Sequence, residues 1–285
     1  MKKLVPFLLL AVLLAGCSAQ TEASEVLAVT KPVYDLTREL CGQTGIRVSL
    51  LITQNVSCLH DYTLQVGQMR AVESCSLLIL SGGGMEEGFE DILSSAREVC
   101  DASAGIAQLH GSHGHEGHHH EDDPHIWLAP GNMKRMAENI CQALRERFPE
   151  HAQALEQNLA SLTKRLDDLQ FYGETALSTL SCRELVTFHD GFSYVAEAFD
   201  LTILESMEEE SGSEASGKEL IRLALLIREH RLPAIFTESY GSSSAATILS
   251  AETGAKVYAL DMGMGERDYF SAMYYNIDTV KEALS

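Results

Sequence analysis

The chain has 285 residues, of which 45% are hydrophobic and 22% are charged. This is the composition of a globular protein with one large or two modest domains, and it excludes a disordered chain or one with many membrane spans. Acidic residues outnumber basic ones by 41 to 21, which gives a formal net charge of −20. Nucleic-acid binding is not expected, because phosphate contacts need clustered basic side chains, whereas an acidic protein attracts cations.

The beginning of the chain has the pattern of a secretory signal. Two lysines precede an apolar run over 5–14 that is too short to span a bilayer as an ordinary helix. The run closes with Leu-Ala-Gly-Cys at 14–17, which resembles the bacterial lipobox, in which the cysteine is lipidated and the preceding residues are removed. We therefore expect 1–16 to be a lipoprotein signal peptide, Cys17 to be the lipid anchor and 17–24 to be a tether. The alternative is a plain signal peptide with an incidental cysteine.

Such a lipid anchor would hold the mature chain outside the cytoplasm, facing either a periplasm or the cell surface. Six cysteines besides Cys17 would then remain for disulfide pairing, and the sequence does not choose among the pairings. No Cys-x-x-Cys motif occurs, so a zinc ribbon or a thioredoxin-type site has no support. The six are Cys41, Cys58, Cys75, Cys100, Cys141 and Cys182.

From residue 25 onward, short apolar runs alternate with helical patterns, which predicts parallel sheets covered by helices on both faces. In the first half the runs lie at 26–29, 48–52, 77–80 and 105–109. In the second half they lie at 185–188, 201–204, 234–237 and 257–260. The expected fold class is therefore α/β, with two lobes at 25–148 and 181–285, each a parallel sheet flanked by helices.

A long helix is expected between the two lobes. Leucines at 155, 159, 162, 166 and 169 are spaced by four and three residues and fall on one helical stripe. Residues 132–148 predict a separate helix that is ended by Pro149. We assign 149–180 to a linking backbone helix that packs against both lobes as a stiff hinge, with a coiled-coil dimer seam as the alternative.

Histidines carry the candidate chemistry. Six of the eleven lie between 110 and 120, in a Gly-rich, polar segment that continues into acidic residues. Such a segment cannot bury a core, and neutral imidazoles bind zinc, copper or nickel, so we expect a loop over 110–123 that collects metal at low affinity. The alternative is solvated low-complexity sequence. The six histidines are His110, His113, His115, His118, His119 and His120.

Three further histidines, His60, His125 and His189, stand singly where loops should leave strands or enter helices. Asp261 ends the last predicted strand. Because parallel strands bring ligands to their carboxyl ends, His189 and Asp261 fit a site in the crevice between the lobes. Three nitrogens and one oxygen, two from each lobe, satisfy tetrahedral Zn²⁺, so these four residues form the candidate metal site.

The order of these motifs resembles a known family. After His60 and the His-rich stretch come Asp-Pro-His-Ile-Trp-Leu at 123–128 and Thr-Phe-His-Asp-Gly-Phe at 187–192. The segments 235–239 and 253–261 follow, and an amphipathic helix closes the chain. The arrangement is similar to the metal-binding proteins of ABC importers, the cluster A-I or ZnuA/TroA-like proteins.

That resemblance implies two α/β lobes joined by a backbone helix, metal held in the cleft, delivery to a membrane permease, and no enzymatic activity. It matches His60, His125 and His189 to the family's metal-binding histidines and Asp261 to its carboxylate ligand. Glu238 or water is the alternative fourth ligand. The residues after His60 depart from the family pattern, because they lack the proline and serine that many members have beyond the tyrosine.

The donor set bears on the metal and on enzyme activity. Three imidazoles and one carboxylate suit zinc, whereas manganese prefers more oxygen ligands. The resemblance also implies zinc, because a His-rich tract marks the zinc importers of the family. We expect zinc capture for an ABC permease, with a manganese-binding member or a surface adhesin as alternatives. A zinc hydrolase is not expected, because the proposed ligands close the tetrahedron and leave no open coordination position.

Overall fold

The computed structural model describes residues 26–56, 59, 62–109, 122–207, 216–240 and 243–285. Its described part contains two four-stranded parallel sheets with helices around them, which confirms the predicted fold class. The predicted signal peptide, Cys17 and the tether lie outside the described residues. The same holds for His60, Cys58 and the six histidines between 110 and 120.

The first sheet lies near the amino-terminal end of the described chain. Its strands have the order β2-β1-β3-β4, and every neighbouring pair is parallel. The strands are β1 (Val26–Ala28), β2 (Val48–Leu50), β3 (Leu77–Leu80) and β4 (Val99–Asp101). The helices between them are α1 (Lys31–Cys41), α2 (Val66–Ser74) and α3 (Glu90–Leu93).

The predicted strand at 105–109 is wrong, because the fourth strand is β4. Residues 105–109 instead follow a turn in which Gly105 has φ +79° and the amide of Ile106 donates to the carbonyl oxygen of Ser103. β4 escapes the apolar pattern because it is a three-residue edge strand with only Cys100 buried, so hydrophobic periodicity has almost nothing to record.

The second sheet repeats this design with the order β6-β5-β7-β8, again with parallel neighbours. Its strands are β5 (Glu184–Thr187), β6 (Thr202–Ser206), β7 (Ala234–Glu238) and β8 (Lys256–Leu260). The helices that follow them are α6 (Ser193–Ala198), α7 (Gly217–His230), α8 (Ser244–Thr253) and α9 (Tyr269–Leu284).

Two long helices connect the sheets. α4 (Pro130–Arg147) ends before a 3₁₀ turn at Pro149–His151, and α5 (Ala152–Ala176) follows directly. α5 is thus shorter at both ends than the 149–180 span assigned from the sequence. At its beginning this is because Pro149 starts the 3₁₀ turn rather than the helix. Four of the five stripe leucines are buried, and α5 packs on α1, α4 and α9 of the same chain. The stripe therefore contributes to packing within this molecule.

The contact between α5 and the second lobe depends on a glycine. A Cβ atom on Gly173 would lie 2.2 Å from Cε1 of Phe199, which follows α6. Only a residue without a side chain lets the ring of Phe199 approach the helix backbone so closely. The carboxyl-terminal part of α5 is therefore fitted to the second lobe, and α5 also packs on α1 and α4 of the first lobe and on α9.

α9 returns from the second lobe to the first. The amide of Tyr269 at its beginning donates to Oδ2 of Asp35 in α1, at 3.0 Å. In the loop before α9, the carbonyl oxygen of Arg267 accepts a hydrogen bond from Nζ of Lys31 in α1, at 3.3 Å. α1 and the loop before α9 are therefore joined by polar contacts as well as by packing.

The described ranges contain no helix that is both long and apolar enough to cross a membrane. Within them, none of the cysteines forms a disulfide with another. Cys100, for example, lies against the carbonyl oxygen of Asn139, and burial raises the pKa of its thiol to about 12.

Candidate metal centre

His125 is fixed by the carboxylate of Asp123. Oδ1 of Asp123 accepts from the backbone amide of His125 and lies 2.9 Å from Nδ1 of its ring. The imidazole is buried, with 1% of the residue exposed, just before the 3₁₀ turn Ile126–Leu128. A carboxylate beside Nδ1 holds the proton on that nitrogen, so Nε2 presents its lone pair to the cleft.

His189 is fixed in the same manner by Glu238. His189 lies two residues beyond the end of β5, and Glu238 is the last residue of the adjacent strand β7. Nδ1 of His189 lies 3.1 Å from Oε1 of Glu238, and both side chains are largely buried. The neighbouring carboxyl ends of two parallel strands thus provide both the imidazole and the carboxylate that orients it.

The two oriented imidazoles meet. Nε2 of His125 and Nε2 of His189 are 3.2 Å apart, and the rings stand nearly perpendicular, at 82°. Two nitrogen ligands of a tetrahedral zinc ion, each about 2.0–2.1 Å from the metal, are separated by about 3.3 Å. Since both Nδ1 atoms face carboxylates, two neutral rings would direct lone pairs at one point, and a cation there stabilises that arrangement.

Gly191 makes this approach of the rings possible. A Cβ atom on Gly191 would lie 2.6 Å from Cδ2 of His189 and 2.9 Å from Nδ1 of His125. It would also lie 2.7 Å from Cε of Met262, which directly follows Asp261. Gly191 therefore fills the space behind the rings with backbone alone.

Trp127 closes the other side of the centre. Its Nε1–H donates to the carbonyl oxygen of Met262 at 2.8 Å, and its ring meets the edge of His125 with centroids 5.3 Å apart. The side chain is fully buried. Trp127 therefore packs directly against one of the two converging imidazoles.

Asp261 follows β8 and is 1% exposed. Its backbone is held by the Asn276 side chain, which accepts from the Asp261 amide and donates to its carbonyl oxygen, each at 2.7 Å. Its carboxylate accepts from the amide of Gly263 at Oδ1 and from Nη1 of Arg267 at Oδ2, both at 2.8 Å. The carboxylate is therefore in the polar interior next to Met262.

The four residues predicted as ligands fare differently. His125 and His189 are brought together, whereas the carboxylate of Asp261 is hydrogen-bonded to Gly263 and Arg267 and forms no three-residue metal group with them. His60 lies outside the described residues, although Leu59 beside it is buried and accepts a 3.0 Å hydrogen bond from the amide of Tyr62. In the part of the chain that the structure describes, no group of three His, Cys, Asp or Glu side chains is close enough to hold a metal ion.

Sequence reasoning missed the roles of Asp123 and Tyr194. The hydroxyl of Tyr194, in α6, donates to the carbonyl oxygen of Asp123 at 3.1 Å and accepts from the amide of Leu109 at 3.0 Å. Leu109 and Asp123 flank the His-rich segment, so a side chain of the second lobe joins both flanks. Burial raises the pKa of Tyr194 to about 12, which keeps the hydroxyl a donor. The position of Asp123, two residues before His125, was the only feature of the sequence that could have indicated its role. Nothing in the sequence indicated the role of Tyr194.

Comparison with known proteins identifies the family of the chain. The sequence model of the ZnuA family, described as zinc-uptake complex component A, periplasmic, matches residues 26–283. The chain belongs to the ZnuA family. This match covers both sheets, α5 and the centre around His125 and His189.

Relatives of this ZnuA family member agree with the fold. The zinc-binding lipoprotein AdcA of Streptococcus pneumoniae (strain ATCC BAA-255 / R6) is 27% identical over 96% of this chain. The chain spans only 59% of the length of AdcA. A crystal structure of ZnuA superposes with a TM-score of 0.81 at 27% identity, covering 93% of this chain and 100% of that one. A zinc-bound ZnuA deletion mutant gives 0.81 at 28% identity, covering 93% and 99%.

Proposed function

We propose that this chain is the extracytoplasmic solute-binding component of a zinc importer of the ABC type. It captures Zn²⁺ between its two lobes and delivers the ion to a membrane permease. The observation that carries this proposal is the 3.2 Å separation of the Nε2 atoms of His125 and His189, with a carboxylate behind each ring. ZnuA proteins are transport proteins, so no bond is made or broken in the cargo.

The proposed ligands are His60, His125, His189 and Asp261. Two of them already converge, and Asp261 adjoins Met262, whose methyl group lies at the same glycine as both rings. Glu238 is the weaker candidate for the fourth ligand, because its Oε1 is used to orient His189. The fourth position would otherwise be taken by water.

Zinc is favoured as the cargo by the donor set. The two proposed ligands that converge, His125 and His189, are both imidazoles. Nitrogen-rich tetrahedral sets suit zinc, whereas manganese prefers oxygen and higher coordination. The zinc-uptake description of the family favours the same ion, and it favours transport over an adhesin. Capture at nanomolar zinc requires about 12 kcal/mol of binding free energy. Ligands held in place beforehand lower the ordering cost of that binding.

The proposal extends to segments outside the described residues. The lipobox pattern and the lipoprotein name of the relative AdcA support Cys17 as a lipid anchor after removal of 1–16. The composition of 110–123 supports a loop that concentrates zinc near the cleft. We keep 25–148 and 181–285 as the two lobes, with 149–180 as the segment that links them.

Calorimetric titration of the metal-free protein with Zn²⁺ tests this function. The wild type should bind one ion tightly, and H125A and H189A should each lose more than about a hundredfold in affinity. Removing only the hydrogen-bond partner of a metal ligand typically costs about 10–100-fold in affinity, so removing the ligand itself should cost more. The H230A variant is the control, because His230 pairs with Glu184 away from the centre. Wild-type affinity in H125A or H189A would overturn the proposal. Anomalous diffraction at the zinc edge would then identify the ligands directly.

A further inference from the structure

The carboxylate of Asp261 is held from two sides. Nη1 of Arg267 donates to Oδ2 and the amide of Gly263 donates to Oδ1, each at 2.8 Å, and only 1% of Asp261 is exposed. Each oxygen has already given one of its acceptor directions to the protein. An incoming cation that binds both oxygens must therefore share Oδ2 with the positively charged guanidinium of Arg267, whereas Oδ1 carries only the neutral amide of Gly263.

Arg267 is itself held in place. Its guanidinium lies over the ring of Tyr275, 4.2 Å from the centroid, and its carbonyl oxygen accepts from Nζ of Lys31. The hydrogen bond to Asp261 raises the pKa of Arg267 further above its already high ordinary value, so the side chain is a permanent positive charge. The guanidinium thus opposes the negative charge of Asp261 from a fixed position.

Oxygen ligands distinguish the candidate cargo ions. Zinc is satisfied by three imidazoles and one oxygen, whereas manganese gains from additional and more strongly charged oxygens. A guanidinium on Oδ2 competes with the ion for the second oxygen and offsets the negative charge of the carboxylate. Its effect therefore falls more heavily on manganese than on zinc.

We propose that Arg267 sets the metal selectivity of the centre by keeping Asp261 a single-oxygen, charge-neutralised ligand. This inference rests on the proposed function, and it adds a residue that contacts no metal ion itself. Arg267 is a positioning residue that acts through Asp261.

The test measures the ratio of the Mn²⁺ and Zn²⁺ dissociation constants by competition with a fluorescent chelator. In R267Q the ratio should fall by about tenfold, or about 1.4 kcal/mol, because manganese gains from a second carboxylate oxygen that tetrahedral zinc does not need. The loss of one positive charge favours both divalent ions alike and cancels in the ratio. The Mn²⁺ electron paramagnetic resonance spectrum should change at the same time, since the guanidinium no longer competes with the ion for Oδ2 of Asp261. An unchanged ratio in folded R267Q would overturn the inference.

Two further variants make the test specific. In the D261N background, R267Q should leave the ratio where D261N alone puts it, and a tenfold fall there would show that Arg267 does not act through Asp261. Should R267Q fail to fold, Y275L carries the test, because it loosens the guanidinium without removing a buried partner. The ratio should fall in Y275L as well, and no change there would overturn the inference. Loss of histidine-dependent zinc binding in the wild type would instead refute the proposed function, so the two failures are distinguishable.

Discussion

Trp127 and Met262, 135 residues apart in the sequence, are joined by a 2.8 Å hydrogen bond from the indole N–H to the backbone carbonyl oxygen. The bond crosses from the loop before α4 to the loop after β8. It therefore fixes the spacing of the two lobes at the level of the imidazoles.

We expect W127F to lower the free energy of unfolding by about 1–3 kcal/mol, because the buried carbonyl oxygen of Met262 loses its donor. Urea denaturation of the metal-free protein measures this change. The control is F171L on α5, where 69% of the side chain is exposed and a change within about 0.5 kcal/mol is expected. Equal stability of W127F and the wild type would show that the indole hydrogen bond contributes nothing.

The carboxylate behind His125 should matter for zinc. We expect D123N to weaken zinc binding by about 10–100-fold, since removing the charge lowers the basicity of the imidazole and loosens its orientation. Competition with a chelator gives the affinity. D200N makes the same chemical change at a side chain that is 96% exposed, and its affinity should equal that of the wild type. Equal affinities in all three proteins would refute this role.

Space behind the rings should be equally important. G191A places a methyl group within 3 Å of both imidazoles and of Met262, so the rings must separate, and zinc affinity should fall by at least about tenfold. G67A in α2 is the matched control, because a Cβ atom there has no neighbour within 4 Å. Unaltered zinc binding by G191A would mean that the rings can move without cost.

Gly173 provides a test of the fold that is independent of zinc. Alanine favours a helix by about 1 kcal/mol over glycine, yet at 173 its methyl group would overlap the ring of Phe199. We expect the overlap to dominate and G173A to lose about 1–3 kcal/mol in urea denaturation. G131A in α4 meets no atom within 4 Å and should be neutral or stabilising. A stabilised G173A would contradict the observed packing.

Glu86 predicts a pH dependence of stability. It is buried and accepts from the amides of Ser81 and Gly82, yet desolvation raises the pKa of its carboxyl to about 7. Because the folded pKa exceeds the unfolded value of 4.5, its contribution is full below pH 4.5 and is lost as the pH rises through 7. The loss over this window is roughly 3 kcal/mol.

The measurement is the free energy of unfolding of the wild type and E86Q at several pH values between 4 and 8. The difference between the two proteins should change across that window, because glutamine does not ionise while every other group is shared. A difference that stays constant with pH would contradict the pKa assigned to Glu86.

Much of the fold follows from hydrophobic patterning. Seven of the eight strands coincide with predicted apolar runs, and α9 occupies the stretch expected for the closing helix. β4 could not be predicted, because a three-residue edge strand buries one side chain. The run at 105–109 reads as a strand because Ile106 and Leu109 are apolar, and in the structure both pack against the core without pairing with a strand.

The centre was harder to predict than the fold. His125 and His189 were identifiable from their positions after loops and strands, yet their 3.2 Å approach depends on how the two lobes meet. The pairing of His189 with Glu238 depends on the neighbouring order of β5 and β7. The pairing of Arg267 with Asp261 depends on the path of the loop before α9, which contains two glycines and no periodic pattern. Spacing along the chain carries no information about such a path.

The packing of α5 on both lobes has a consequence for the release of the bound metal ion. One part of α5 packs on α1 and α4 of the first lobe, and another part packs on the second lobe. The two lobes are therefore held together before any ion binds. Such a preformed site can bind an ion without a large rearrangement, but the brace itself does not separate the lobes again. We therefore expect the free energy needed to release the ion to come from a partner that docks across both lobes.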